Sequence, residues 1–248
     1  MGGGESWCGW RFAIFYLQLT TIFMTWVKIC GTTNLEDALT AVNAGADALG
    51  FVFYEKSPRK IDVEAAQEIL EKLPEDIEKV GVFVDLEPDR IREIVLQARL
   101  TAVQLHGNRS MKSVWKDERP AAECLGVSKL IPMIHGDALK DGGLLLSQRA
   151  RDETFAVLLD SRSNGAAGGT GTTFDWEATR GMVQSMSLLV PVIVAGGLTP
   201  SNVREAMRLF QPFGVDVASG VEARPGKKDP EKVRAFVKAV REMDRKTG

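Results

Sequence analysis

From Trp26 onward, eight short and almost continuously apolar runs alternate with eight longer amphipathic stretches, with no long linker between them, in a chain of 248 residues. These observations predict an α/β fold, a single (β/α)8 or TIM barrel. Barrels of this kind typically run to about 250 residues. A chain of that size can bury roughly 70–75% of its surface around one core.

The expected strands are Trp26–Cys30, Ala48–Phe53, Lys79–Val84, Ala102–Leu105, Ser128–Met133, Phe155–Leu159, Val192–Ala195 and Val215–Ala218. Runs this short and apolar suit parallel strands covered on both faces. The expected helices are Leu35–Ala44, Val63–Leu73, Asp89–Ala98, Met111–Arg119, Ala138–Arg149, Trp176–Ser187, Asn202–Phe210 and Pro230–Met243. Asn34 and Asp62 stand where N-caps belong, with acidic residues in the turns that follow. Pro88, Pro200 and Pro230 suit helix starts, and Gly45 suits a helix end. An open doubly wound sheet is the competing architecture. Its Gly-x-Gly-x-x-Gly turn is missing after the first strand, where Cys30-Gly31-Thr32-Thr33 stands instead.

Ahead of the barrel, residues 1–11 are glycine-rich and Phe12–Met24 is largely apolar. One positive charge precedes that run, Gln18, Thr20 and Thr21 interrupt it, and it falls short of the ~20 apolar residues a spanning helix needs. We therefore expect residues 1–24 to be a dispensable extension with Met24 the natural start, and residues 25–248 to form the catalytic barrel. A membrane or export role is the alternative.

The composition is 44% hydrophobic and 26% charged, with a formal net charge of −2. Nothing in that balance points to a nucleic-acid binder, which usually shows a strongly basic face. Cys8, Cys30 and Cys124 are widely spaced, and His106 and His135 are the two histidines. Neither a disulfide framework nor a metal site follows from that pattern. Reduced thiols in a cytoplasmic enzyme fit it better.

Catalytic groups of such barrels come from the C-terminal strand ends and the loops after them. That rule selects Cys30 after strand one, Arg59 in Ser57-Pro58-Arg59, His106-Gly107 after strand four and Asp160 after strand six. A thiolate paired with a carboxylic acid would supply a base and an acid for proton transfer. A buried cysteine is also often just a small hydrophobe, and a carboxylate at a strand end often just a cap. Lys28 shares the strand face of Cys30, though the sequence leaves open whether that face looks into the pocket. Gly168-Gly169-Thr170-Gly171, Gly196-Gly197 and Ser219-Gly220 follow the last three strands. Glycines let backbone N–H groups approach an anion, and phosphate sites recur in this sector of the fold.

These same segments carry a family likeness. Val27-Lys28-Ile29-Cys30-Gly31-Thr32-Thr33, Ser57-Pro58-Arg59, Gln104-Leu105-His106-Gly107, Leu159-Asp160-Ser161, Gly168-Gly169-Thr170-Gly171, Ala195-Gly196-Gly197-Leu198 and Asp216–Glu222 resemble, in order, the motifs of phosphoribosylanthranilate isomerases. The resemblance implies a cofactor-free Amadori rearrangement of a small phosphorylated aminosugar by a monomer or homodimer that binds neither nucleic acid nor membrane. It makes Cys30 the general base and Asp160 the general acid. It places Arg59 at the anthranilate end of the substrate. His106, Gly171, Gly196, Gly197, Asp216, Ser219 and Gly220 become its binding groups. Thr172 stands where many members have Lys, and Ala218 where serine is common, so those two contacts do not transfer. A histidine-pathway aminosugar isomerase would resemble a two-aspartate solution, against which Cys30 argues. A barrel that only binds a phosphorylated metabolite would not need both Cys30 and Asp160.

Overall fold

The computed structural model describes residues 24–107, 113–115, 119–135, 147–160 and 176–247. Eight parallel strands close into a barrel: β1 (Trp26–Cys30), β2 (Ala48–Phe53), β3 (Glu78–Val84), β4 (Ala102–His106), β5 (Lys129–His135), β6 (Val157–Asp160), β7 (Val192–Ala195) and β8 (Gly214–Val217), with β8 paired back onto β1. Around it run α1 (Leu35–Ala44), α2 (Val63–Leu70), α3 (Pro88–Ala98), α4 (Ala121–Leu125), α5 (Gln148–Asp152), α6 (Trp176–Ser187), α7 (Val203–Phe210) and α8 (Pro230–Thr247). A short antiparallel hairpin, β9 (Glu222–Arg224) with β10 (Lys227–Lys228), follows β8.

Alternation along each strand builds two cores. Val27, Ile29, Leu49, Phe51, Phe83, Val103, Leu105, Val157, Leu159, Val192, Val194 and Val215 face outward and pack under the helices. Ala48, Val80, Ala102, Ile131, Met133, Leu158 and Ile193 fill the barrel interior. Trp26, Phe155 and Phe213 plug its N-terminal end, with ring centroids 5.5 to 6.4 Å apart. The functional mouth is therefore the other, C-terminal end.

Local chemistry explains most element boundaries. Asn34 caps α1 as expected, its side chain accepting from the Asp37 N–H at 3.0 Å, and Gly45 ends the helix in the left-handed region at φ 91°. Two of the expected helices fall largely outside the described residues. Of Met111–Arg119 only residues 113–115 and 119 are described, with 113–114 helical, and a further short helix, Ala121–Leu125, precedes β5. Pro120 disfavours the helical region at Arg119 and starts the new turn. After β5 the described helix begins at Gln148, where the Ser147 hydroxyl accepts from the Ala150 N–H at 3.2 Å. His135 is the last residue of β5.

The C-terminal helix clasps the first strand. Arg241 donates to the Thr25 carbonyl at 2.5 Å, to the Gly45 carbonyl at 2.8 Å and to Asp47 at 2.6 Å. Asp244 accepts from the Thr25 hydroxyl at 2.6 Å. Among the described residues, no helix is long and apolar enough to cross a membrane.

Candidate active site

A cavity of about 400 Å³ opens at the C-terminal mouth. Cys30, Arg59, His106, Asp160, Gly196, Gly197, Asp216 and Ser219 all line it. Each comes from the end of a strand or the loop after it. Gly220 lies behind the lining. A Cβ there would meet the Leu198 carbonyl oxygen at 1.9 Å, so the loops after β7 and β8 touch only because that position carries no side chain. Gly171, with Thr170 and Thr172, lies outside the described residues.

Because Val27 and Ile29 pack outward, Trp26, Lys28 and Cys30 face the barrel interior. Space for them is made on β2. A Cβ at Gly50 would sit 2.8 Å from the Cys30 Sγ and 3.1 Å from the Lys28 Cε. Lys28 is fully buried, and a buried ammonium must be paired. Its Nζ donates to the Asp216 Oδ1 at 2.7 Å and to the Gln104 Oε1 at 2.9 Å. Burial alone would pull the Lys28 pKa down, but Asp216 and Cys30 outweigh it and hold it above its ordinary value. Burial likewise pushes the Cys30 thiol up; Lys28 and Lys228 pull against that push and Asp216 adds to it. The net direction is upward.

Asp160 ends β6, is 6% exposed, and stands in register beside His135 on β5 and Ala195 on β7. His106 and His135 meet edge to face with ring centroids 5.8 Å apart, so both histidines border the same mouth.

Arg59 has a partner that sequence reading did not supply. Its Nε and Nη2 donate to the two carboxylate oxygens of Glu222 at 2.8 and 2.7 Å. Lys228, also buried, donates to that carboxylate at 3.1 Å, to the Cys30 carbonyl at 2.5 Å and to the Ala218 carbonyl at 3.3 Å. Burial would raise the Glu222 pKa, but Arg59 and Lys228 outweigh it and hold the carboxyl below its ordinary range. The Lys228 pKa is lowered, burial overcoming the pull of Glu222 and Cys30. One edge of the Arg59 fork is therefore committed to protein. A ligand carboxylate must approach Nη1 or the guanidinium face. The hairpin is also pinned to α1, with Lys227 donating to Asp37 at 2.7 Å and the Thr33 hydroxyl to the Gly226 carbonyl at 2.5 Å. The sequence signal for that hairpin is Pro225-Gly226, a turn-forming pair between two short polar runs.

The loop after β7 is shaped for close approach. Gly196 and Gly197 have φ of 88° and 69°, and a Cβ at Gly197 would meet nothing within 4 Å. Asn202 braces this loop, its amide donating to the Gly197 carbonyl at 3.0 Å and its oxygen accepting from the Thr199 N–H at 2.7 Å. Among the described residues, no group of three His, Cys, Asp or Glu side chains could hold a metal ion.

A family model described as N-(5'-phosphoribosyl)anthranilate isomerase matches residues 27–239. The N-(5'-phosphoribosyl)anthranilate isomerase of Myxococcus xanthus is 47% identical over 223 residues, 88% of this chain and 97% of that one. The Geotalea uraniireducens enzyme is 45% identical over 215 residues, 87% of this chain and 98% of that one. Among solved structures, the phosphoribosyl anthranilate isomerase from Thermotoga maritima is 40% identical with a TM-score of 0.75, over 88% of this chain and all of that one. Another was solved in complex with reduced 1-(o-carboxyphenylamino)-1-deoxyribulose 5-phosphate; it is 38% identical with a TM-score of 0.72 and the same coverage.

Proposed function

Because the chain belongs to the N-(5'-phosphoribosyl)anthranilate isomerase family, we propose that Cys30 and Asp160 divide its chemistry as base and acid. The enzyme converts N-(5-phosphoribosyl)anthranilate to 1-(2-carboxyphenylamino)-1-deoxyribulose 5-phosphate, a step of tryptophan biosynthesis. Asp160 protonates the ribose ring oxygen as the C1–O bond breaks and the anthranilate nitrogen forms an iminium. Cys30 then takes the proton from C2, leaving an enolamine that tautomerises to the ketone. The observation that carries this reading is the convergence of the two residues, from β1 and β6, on one cavity. The free cysteines among the described residues suit a cytoplasmic enzyme. The full chain should turn over N-(5-phosphoribosyl)anthranilate and leave the histidine-pathway aminosugar unchanged. Binding of the first without turnover would reduce the barrel to a metabolite-binding protein.

Phosphate is assigned to the backbone of Gly171, Gly197, Ser219 and Gly220. Gly197→Val places a branched side chain in the cavity and a left-handed conformation on a residue that resists it, at a cost of about 1–2 kcal/mol. We expect the Michaelis constant to rise about tenfold or more, as for loss of one charge-assisted hydrogen bond. Unchanged substrate binding, with inorganic phosphate found elsewhere, would remove the loop from the site.

Arg59 is assigned to the anthranilate end. Lysine cannot satisfy both oxygens of Glu222 while facing a ligand. Arg59→Lys should therefore lose about tenfold to a hundredfold in kcat/KM. Equal activity would make Arg59 a generic positive charge.

Residues 1–24 precede the family match and are read as dispensable. A chain beginning at Met24 should keep its thermal midpoint and its turnover. Loss of soluble folding would show that the extension packs on the barrel.

A further inference from the structure

The charged groups around Cys30 are arranged unevenly. Lys28 lies beneath it on the same strand face, but Asp216 on β8 already holds that ammonium at 2.7 Å. Gln104 on β4 completes the pairing at 2.9 Å. From β2, Gly50 brings the sulfur and the lysine stem together and offers no side chain of its own. Lys228 is turned toward the Cys30 carbonyl and Glu222. Asp160 stands on β6 at the rim of the same cavity. The cation that hydrogen-bonds the thiol is thus shared with a carboxylate before substrate arrives.

We infer that Asp216 is a positioning residue that ties up the Lys28 ammonium, so that the free enzyme holds Cys30 as a guarded thiol and forms the anionic base only against a cationic intermediate. The inference rests on the reading of Cys30 as the base. It gives Asp216 a task beyond lining the substrate cavity. A thiolate standing permanently in a pocket of about 400 Å³ would be open to alkylation and oxidation. The iminium formed on ring opening supplies positive charge at the carbon next to the one that loses its proton. Ionisation is then driven where and when it is used.

Such an arrangement has a pH signature that fold stability does not share. The rate of thiol alkylation follows the thiolate fraction, so it rises with pH through the Cys30 pKa. Burial and Asp216 set that midpoint above the ordinary thiol value. Asp216→Asn removes the negative charge that competes with the thiol for Lys28, so the midpoint should fall. Opposite charges within about 4–6 Å move a pKa by about 1–3 units, and one unit means a rate about tenfold higher at pH values below both midpoints. Gln104→Glu keeps the shape, adds a second carboxylate to Lys28, and should move the midpoint upward.

The test is the pH dependence of iodoacetamide modification of Cys30 in the full chain, read by peptide mass spectrometry so that Cys8 and Cys124 do not contribute. A fall in Asp216→Asn, or a rise in Gln104→Glu should the first variant not fold, is the expected result. An unmoved or raised midpoint in Asp216→Asn, or an unmoved or lowered one in Gln104→Glu, overturns the inference. A Lys28→Met/Asp216→Asn double variant should return the midpoint upward from that of Asp216→Asn. If it stays with the single variant, the carboxylate acts on Cys30 directly and the role through Lys28 is wrong. None of these outcomes depends on turnover, whereas an active Cys30→Ser enzyme would sink the base assignment and leave the alkylation result standing.

Discussion

Cys30→Ser should turn over about 100- to 10,000-fold more slowly than the unaltered enzyme while binding product nearly as well, the usual contribution of a general acid–base group. Serine keeps the size of the side chain, and Gly50 leaves the same room for it. What changes is acidity. A hydroxyl ionises far less readily than a thiol, and Lys28 is shared with Asp216. The step that suffers is loss of the C2 proton, which comes after substrate is bound. The deficit should therefore appear in kcat, with the Michaelis constant and product affinity little changed. Steady-state kinetics with product affinity measured in parallel checks this. Near-normal turnover would remove Cys30 from the chemistry, and a defect confined to the Michaelis constant would make it a binding group.

Asp160→Asn should lose turnover by a similar factor, about 100- to 10,000-fold. The amide keeps the shape at the end of β6 but cannot give an acidic proton to the ring oxygen. Without that proton the C1–O bond must break toward an alkoxide, which no other group assigned here neutralises. A variant that retained turnover would mean that the ring opens without Asp160.

The barrel was legible because its strands are apolar on both faces and short, while its helices keep a 3.6-residue period between caps such as Asn34 and Gly45. Chain order then placed Cys30 and Asp160 at strand ends, which in a closed parallel barrel is one place in space. Pairings across long separations were less visible. Arg59 meets Glu222 across 163 residues and Lys28 meets Asp216 across 188, and no local pattern records either contact. Strand parity gave Lys28 and Cys30 a common face; only the closed fold shows that this face is the interior and that the ammonium is already paired. The short helix Ala121–Leu125 before β5 was also not visible, because five residues after Pro120 are too few to show a helical period.

The division of labour between the two residues is most directly read from substrate carrying deuterium at ribose C2, compared in the unaltered enzyme, Cys30→Ser and Asp160→Asn. If Cys30 removes that hydrogen and Asp160 acts in the preceding ring opening, the variants separate. Cys30→Ser makes C–H cleavage limiting and should express a full primary isotope effect on kcat. Asp160→Asn makes ring opening limiting and should bring the effect toward unity. An equal isotope effect in the two variants, or a larger one in Asp160→Asn, would contradict the assignment of base and acid.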